Sequence, residues 1–211
     1  MIRFLLISIL TLVAGVSCSL KTTEGLRQTA IAKSEIENAY FSVLETDYIY
    51  KAKVDIYGRY FGGILIVKKV GKDSHRVVFT TEFGSKIFDF LYEGDTFTKN
   101  FVLENLDRKF IVNTLRKDFK LLVSERVQVL GQFALEGYSI YKTERDKRFN
   151  FYFFDSEGNL EKLINSSKHK EKVTIVFEST EASEGKTVAE KIAINHSNIK
   201  LKIELDYFKK Y

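Results

Sequence analysis

Few residues of this sequence have the types and the spacing that catalysis or metal binding requires. The three histidines, His75, His169 and His196, are scattered along the chain without metal-ligand spacing. Gly185-Lys186-Thr187 looks like the end of a phosphate-binding loop, but the upstream glycine is missing and a strand is predicted to follow. Ser85 lacks the Gly-x-Ser-x-Gly pattern of a nucleophilic serine. We therefore expect no catalytic residue, no metal site and no cofactor, in a protein that is not an enzyme.

The single cysteine of the chain, Cys18, follows an apolar leader. One basic residue and a short apolar run make residues 1–17 a predicted signal peptide, too short to span a membrane. The segment Val13–Cys18 resembles a bacterial lipobox, although Gly15 stands where an aliphatic residue is usual. This interpretation predicts that Cys18 is lipidated and that its acyl chains anchor the protein. The alternative is cleavage by an ordinary signal peptidase, which would leave Cys18 a free thiol.

The residues after Cys18 and the charge of the chain bear on localisation. Cys18 is followed by Ser19 and Leu20 rather than by Asp. By resemblance to bacterial sorting rules, this favours an outer-membrane protein that is lipid-anchored and faces the periplasm. The formal charge of +5 is small and the basic residues are dispersed along the sequence. Ordinary solubility explains such a charge more simply than attraction to anionic head groups, and no nucleic-acid partner is expected.

The length and composition of the chain indicate one domain. The 211 residues are 45% hydrophobic and 14% aromatic, which is enough for a sizeable core. We expect a signal peptide over 1–17, a lipidated N-terminus and tether over 18–45, and a single curved-sheet domain over 46–211. Residues 19–45 are polar and mixed. A short helix, an irregular strand and a purely flexible tether are therefore all open for this segment.

From Asp47 onward the apolar residues alternate with a period of two, which indicates β-strands. We expect five strands, then a helix, then six strands near 138–143, 147–154, 158–165, 171–179, 186–195 and 198–208. Helical spacing from Leu106 to Leu122 predicts an amphipathic helix over 105–122, with Asn105 as its N-cap. The chain has no Pro, which fits a continuous antiparallel sheet.

These elements predict a fold that is mainly β with α. The expected form is an unclosed, strongly curved antiparallel β-barrel of about 11 strands that embraces a central helix. Such a sheet would leave apolar volume beside its helix for flexible acyl chains. The residues predicted to line this cavity are Phe79, Phe88, Phe90, Phe97, Phe101, Phe110, Phe151 and Phe153. The alternative is that these aromatic side chains form an ordinary packed core.

The order of elements resembles the bacterial lipoprotein-localisation family, which comprises the periplasmic lipoprotein carrier and the outer-membrane lipoprotein receptor. Locally, Phe61–Lys69 followed by His75–Phe79 is similar to the family's strand pair, in which a Gly-containing apolar strand leads to an Arg-bearing one. The resemblance implies an unclosed barrel with helices as a lid and binding of lipoprotein acyl groups. It also implies that Arg76 is a polar group at the cavity mouth.

The sequence thus predicts an outer-membrane-anchored periplasmic lipoprotein. Its expected function is to bind lipid or lipoprotein acyl chains in an apolar cavity, in a role in lipoprotein localisation. Its expected partners are the membrane, through the N-terminal lipid, and the acyl chains themselves. The alternative is a structural or accessory lipoprotein subunit of a cell-envelope complex, with a filled core and envelope proteins as partners.

Overall fold

The structure is a computed structural model that describes residues 21–183 and 185–208. The predicted signal peptide and Cys18 lie outside the described residues, so both stay predictions. The described part is mainly β-sheet with one α-helix. Its elements follow the change of hydrophobic period that the sequence shows.

Seven strands precede the helix: β1 (Arg27–Thr29), β2 (Glu35–Glu37), β3 (Asp47–Ile56), β4 (Arg59–Gly71), β5 (Ser74–Thr80), β6 (Lys86–Glu93) and β7 (Thr96–Val102). In β3 every second residue from Tyr48 to Ile56 is buried, which is the alternation predicted for that segment. Antiparallel pairing of neighbouring hairpins joins β3 to β7 in chain order.

Helix α1 (Lys109–Val123) begins later than predicted. Glu104–Leu106 forms a 3₁₀ turn instead, and Asn105 lies inside this turn rather than at the helix N-cap. The residue at the N-cap is Arg108, whose side chain makes no capping hydrogen bond. The helix buries most of the predicted apolar stripe, although Phe110 is 51% exposed, and the ring of Phe119 lies 5.4 Å from that of Phe88 on β6.

Eight strands follow the helix: β8 (Arg126–Gln128), β9 (Gly131–Leu135), β10 (Tyr138–Arg145), β11 (Arg148–Phe154), β12 (Leu160–Ser166), β13 (Glu171–Ser183), β14 (Lys186–His196) and β15 (Leu201–Tyr207). Thirteen strands form one antiparallel sheet in the order β1-β9-β10-β11-β12-β13-β14-β15-β3-β4-β5-β6-β7, while β2 pairs with β8. The eleven predicted strands are β3–β7 and β10–β15. The short strands β1 and β9 enlarge the sheet, and three to five residues are too few for a clear periodic pattern.

The described sheet is not closed, because β1 and β7 are its two edges. It is nevertheless bent round. Arg145 at the end of β10 forms an ion pair with Asp95 in the β6–β7 turn, although β10 and β6 are nine positions apart in the sheet. In a flat sheet with a spacing of about 4.8 Å these strands would lie about 43 Å apart. The helix lies on the inner side of this bend, where it contacts Phe88 on β6 and His196 on β14.

Residues 21–45, which fall in the predicted tether, pack against the domain in the structure. Ile36, Asn38, Tyr40 and Phe41 are buried. Asn38 Nδ2 donates to the carbonyl of Leu122 near the end of α1, at 3.0 Å. Ile36, Asn38 and Tyr40 alternate with exposed residues over only three positions, and Asn38 is polar, so the pattern is too short and too mixed to predict a strand from the sequence.

Candidate functional site

A pocket of about 830 Å³ lies between helix α1 and the strands β10–β14. This volume is in the range of about 300–1,000 Å³ that small-molecule sites occupy. The helix contributes one wall, which includes Phe110, Thr114 and Leu121. The sheet contributes the other, which includes Tyr152 on β11 and Val173 on β13. The bend of the sheet creates this space, because α1 fills the inner side only partly.

A buried hydrogen-bonded pair joins the two walls of the pocket. Nε2 of His196 lies 2.8 Å from Oδ2 of Asp118, and the two side chains are only 4% and 3% exposed. Burial raises the pKa of the Asp118 carboxyl above its usual 3.8, although the hydrogen bond from His196 opposes that rise. The pair connects α1 to the end of β14.

Polar side chains continue from this pair along the sheet wall. Asn165 Nδ2 donates to Asn150 Oδ1 at 2.6 Å, and Arg148 Nη1 donates to Asn165 Oδ1 at 3.1 Å. Burial raises the pKa of the Tyr92 hydroxyl well above its usual 10.0, and that of Tyr152 rises for the same reason. Both phenols therefore stay neutral at physiological pH, and the wall offers hydrogen-bonding groups rather than an ionised base.

The pocket carries more positive than negative charge. Seven basic and four acidic side chains line it, so an anion is attracted. Within residues 21–183 and 185–208, Arg116, Lys117, Arg148 and Lys172 form no ion pair. Arg116 Nε is buried without a hydrogen-bond partner, and its guanidinium lies 5.6 Å from the centre of the Phe97 ring. The lining of the pocket therefore combines cationic groups with an aromatic surface.

No metal-binding chemistry is apparent in the part of the chain that the structure describes. No group of three or more His, Cys, Asp or Glu side chains lies close enough there to hold a metal ion. His75 lies apart from His196, with its Nε2 at 3.0 Å from the carbonyl oxygen of Phe41 and 3.2 Å from Glu125 Oε1. The arrangement in the pocket can bind and orient a ligand.

The predicted cavity residues do not lie together in the structure: some line the pocket, some belong to the packed core and one lies on an edge strand. Phe97 and Phe110 line the pocket. Phe79, Phe88 and Phe90 belong to the packed core, where the rings of Phe88 and Phe90 stack at 4.6 Å. Phe101 is largely exposed on the edge strand β7.

Phe151 and Phe153 lie on the face of the sheet that points away from α1. The residue between them, Tyr152, lines the pocket, and side chains alternate between the two faces of a strand. Both phenylalanines belong to a second buried cluster with Ile140 and Ile164. Leu26, just before β1, packs against this cluster and helps to cover it.

Arg76, predicted at the cavity mouth, is not among the residues that line the pocket. It binds the buried carboxylate of Asp89 with two hydrogen bonds, from Nε at 3.0 Å and from Nη2 at 2.7 Å. Lys86 and Asn100 donate to the same carboxylate. The Arg76 hydrogen bond is the main cause that lowers the pKa of Asp89 to about 2. In this structure Arg76 neutralises a buried charge.

The sequence interpretation missed Asp118, Arg116 and His196 as pocket residues. One signal was present: Asp118 stands three residues after Leu115 and four before Leu122, within the apolar stripe of the helix. An acidic residue on a buried helix face needs a partner, but the sequence does not reveal that the partner is His196.

No helix within the described residues is both long and apolar enough to cross a membrane.

No protein-family model matches the chain, and no curated protein matches it. Solved structures that are similar to it include the following three. A LolA superfamily protein from Nitrosomonas europaea is 11% identical, with a TM-score of 0.48 over 80% of this chain and 87% of that one. A DUF1329 family protein from Desulfovibrio piger is 9% identical, with a TM-score of 0.44 over 78% and 85%. An outer membrane lipoprotein-sorting protein domain from Vibrio parahaemolyticus is 10% identical, with a TM-score of 0.43 over 77% and 83%.

Proposed function

We propose that this protein is an outer-membrane lipoprotein, anchored through Cys18 and facing the periplasm, that binds an anionic amphiphile in the pocket beside α1. The ligand class is a lipid, or the acylated end of another lipoprotein, in a role in lipoprotein localisation. The observation that carries the proposal is the pocket lining, in which apolar side chains lie beside cations that form no salt bridge within the described residues.

The apolar part of the lining suits an acyl chain. Phe97, Phe110, Leu121, Val173 and Ile199 contribute apolar surface without a directional hydrogen-bonding requirement. Burial of a methylene group stabilises binding by about 0.8 kcal/mol, so even a partly buried chain supplies useful affinity. Such a surface accepts chains of different length, and specificity for the tail is expected to be low.

The cationic part of the lining suits an anionic head group. Arg116 has a buried Nε without a partner, and a guanidinium group presents paired donors to a carboxylate or a phosphate. Arg148, Lys117 and Lys172 line the same pocket. A bound anion would satisfy the free donor of Arg116 with a hydrogen bond between opposite charges, which is stronger than the bond that a neutral ester carbonyl can accept.

An exposed aromatic side chain supports contact with a lipid surface. Phe83 is 98% exposed in the turn between β5 and β6. Aromatic side chains are enriched where proteins meet the membrane interface, and burial of a Phe side chain contributes about 1.5–3 kcal/mol. The turn therefore offers a place where the anchored domain touches the bilayer.

Ligand binding can be tested with the full-length lipoprotein extracted from membranes in mild detergent. We expect native mass spectrometry to detect a co-purified anionic lipid, and a fluorescent fatty acid to bind more tightly than its neutral methyl ester. Arg116→Gln should remove most of that preference. Arg108→Gln, at an exposed arginine outside the pocket, is the matched control and should retain it. Equal affinity for the acid and the ester in the unchanged protein would refute the proposed head-group site.

A second candidate is a structural or accessory subunit of an envelope complex. The tight packing of Phe79, Phe88 and Phe90 favours it, because the aromatic face beside β5 and β6 is filled by its own side chains. This candidate predicts a stable protein partner after cross-linking and solubilisation of the envelope, and no lipid in the pocket. Pull-down and lipid extraction from the same sample distinguish the two candidates.

A further inference from the structure

Three neighbouring hairpin loops lie along one edge of the sheet. They are residues 57–60 at the β3–β4 turn and the start of β4, 167–170 between β12 and β13, and 197–200 between β14 and β15. Backbone hydrogen bonds hold them beside one another: the Ser197 amide donates to the carbonyl of Lys172 at the start of β13, at 3.0 Å, and the Tyr57 amide donates to the carbonyl of Lys200, at 2.8 Å. We call these three loops the basic edge.

The basic edge carries four exposed cations and no acidic residue. The cations are Arg59, Lys168, Lys170 and Lys200, and none of them forms an ion pair within the described residues. Two carboxylates adjoin these loops: Asp55, whose Oδ1 accepts the Gly58 amide, and Glu171, whose Oε1 accepts the Thr22 hydroxyl. The four cations outnumber these two carboxylates, so a net positive charge remains at this edge.

Two aromatic side chains accompany these cations. Tyr57 and Tyr60 are 54% and 79% exposed. Tyrosine is enriched where proteins meet membrane head groups, because its ring is apolar and its hydroxyl is polar. The opposite edge of the same strands is different, because the loop between β11 and β12 carries Asp155 and Glu157. Charge thus differs between the two edges, although the basic residues are dispersed in the sequence.

The lipidation site is tied to the basic edge by a very short segment. Thr22 donates its hydroxyl to Glu171, which adjoins the loop 167–170, at 2.8 Å. Cys18 precedes Lys21 by three residues. Consecutive Cα atoms are about 3.8 Å apart, so the three peptide units from Cys18 to Lys21 span about 11 Å at most. That reach is comparable to the Debye length of about 8 Å at physiological salt.

We propose that the basic edge rests on an anionic membrane surface and orients the domain on the bilayer. This inference rests on the proposed lipid anchor at Cys18, since a short anchor brings these cations within range of charged head groups. Each Lys or Arg near such a surface strengthens binding about fivefold, and four act together here. Asn198 and Ile199 of the basic edge also line the pocket, so this orientation places one side of the pocket next to the membrane.

Orientation can be measured with the full-length lipoprotein reconstituted in vesicles. A fluorescent label is placed at Lys170→Cys on the basic edge or at Glu157→Cys on the opposite edge, and the lipid carries a nitroxide quencher. With phosphatidylglycerol present, we expect strong quenching at position 170 and weak quenching at 157. In pure phosphatidylcholine, or at high salt, the difference should shrink. Equal quenching at both positions in the anionic vesicles would overturn the proposal.

Charge-reversal variants separate this surface from the overall charge of the protein. Lys168→Glu with Lys170→Glu should abolish the salt-sensitive quenching, measured with the label at Tyr60→Cys. Lys53→Glu with Lys191→Glu makes the same change in net charge at exposed positions within strands, and it should leave the quenching unchanged. Equal loss in both double variants would contradict a localised surface.

Flotation distinguishes failure of the anchor from failure of the basic edge. Protein that floats with vesicles only at low salt, and only with anionic lipid, contradicts the anchor while supporting the basic edge. Protein that floats at high salt with equal quenching at both labels supports the anchor and contradicts the basic edge. If the basic edge binds an acidic protein and not a membrane, the protein should likewise float at high salt with equal quenching at both labels.

Discussion

The Asp118 carboxylate on α1 lies 2.8 Å from Nε2 of His196 at the end of β14, and both side chains are almost fully buried. On its other side the helix packs Phe119 against Phe88 of β6. The helix is therefore held between two distant parts of the bent sheet, by a polar contact on one side and by aromatic packing on the other. Because the pocket lies beside the polar contact, the pair also sets the distance between the pocket walls.

Removal of the Asp118 side chain should destabilise the protein by leaving His196 without its partner. We expect Asp118→Ala to lower the free energy of unfolding by about 1–3 kcal/mol, the cost of an unsatisfied buried polar group. Asp118→Asn retains an acceptor for a neutral imidazole and should cost less than about 1 kcal/mol. Denaturant unfolding at neutral pH measures both variants. A similar large loss in the two variants would show that the negative charge is required.

The unchanged protein and Asp118→Asn should also differ in the pH dependence of their stability. Burial raises the pKa of Asp118 in the fold above its usual 3.8, so ionisation of this group penalises the folded state. The stability of the unchanged protein relative to Asp118→Asn should therefore fall as the pH rises above 3.8. Unfolding curves of both proteins across this range provide the test. If the unchanged protein instead gains stability relative to Asp118→Asn as the pH rises, the predicted sign is wrong.

The adjacent glycines of β4 should respond differently to a methyl group. A Cβ atom at Gly63 would lie 1.9 Å from the carbonyl oxygen of Thr80, whereas one at Gly62 would have nothing within 4 Å. Gly63→Ala forces β4 and β5 apart, and we expect a loss of about 1–3 kcal/mol in stability. Gly62→Ala is the control and should be neutral or stabilise by up to about 1 kcal/mol. Equal effects of the two substitutions would contradict the close approach at Gly63.

Much of the fold follows from local patterns in the sequence. The alternation in β3 and the stripe on α1 repeat over ten or more residues, and each has one dominant buried face. The strands β1 and β9 are short, and they exist because they extend an edge that the larger sheet already provides. The packing of residues 21–45 depends on anchors such as Asn38, which belongs to an alternation of only three buried positions, too short to predict a strand.

The candidate site was less accessible to sequence reasoning, because it depends on which face each residue occupies. Residue type alone groups Phe151 and Phe153 with Phe88 and Phe90. In the structure the two pairs belong to separate buried clusters, and Phe151 and Phe153 lie on the face of the sheet that points away from α1. The pairing of Asp118 with His196 spans 78 residues and needs the bent sheet to bring β14 to the helix. Such contacts follow from the three-dimensional path of the chain and not from spacing.

The Asp89 carboxylate should contribute to stability in acid. Its pKa is lowered from 3.8 to about 2, chiefly by the hydrogen bond from Arg76. The contribution is therefore present above pH 3.8 and is lost as the pH falls through about 2; its full size is about 2 kcal/mol. We expect Asp89→Asn to lower stability at neutral pH by about that amount and to flatten the acid limb of the stability curve.

Acid titration of unfolding, compared between Asp89→Asn and the unchanged protein, measures this contribution. Asp73→Asn, in the exposed turn between β4 and β5, removes the same charge without a buried partner and should have little effect. If both variants lose the same stability, the cause is net charge and not the contact with Arg76.

The exposed Phe83 can be tested with a fluorescent probe, because the chain has no tryptophan. Phe83→Trp places a single indole in the β5–β6 turn, and Leu135→Trp places one at an exposed position beside the β9–β10 turn. Indole emission shifts to shorter wavelength when water is replaced by an apolar environment. We therefore expect a blue shift for Phe83→Trp when the lipoprotein is transferred from detergent-free buffer to vesicles, and none for Leu135→Trp.

Burial of an aromatic ring stabilises the contact with lipid by about 1.5–3 kcal/mol, so Phe83→Ser should weaken this contact about tenfold or more. Unchanged emission at position 83 in the presence of vesicles would contradict a lipid contact at this turn.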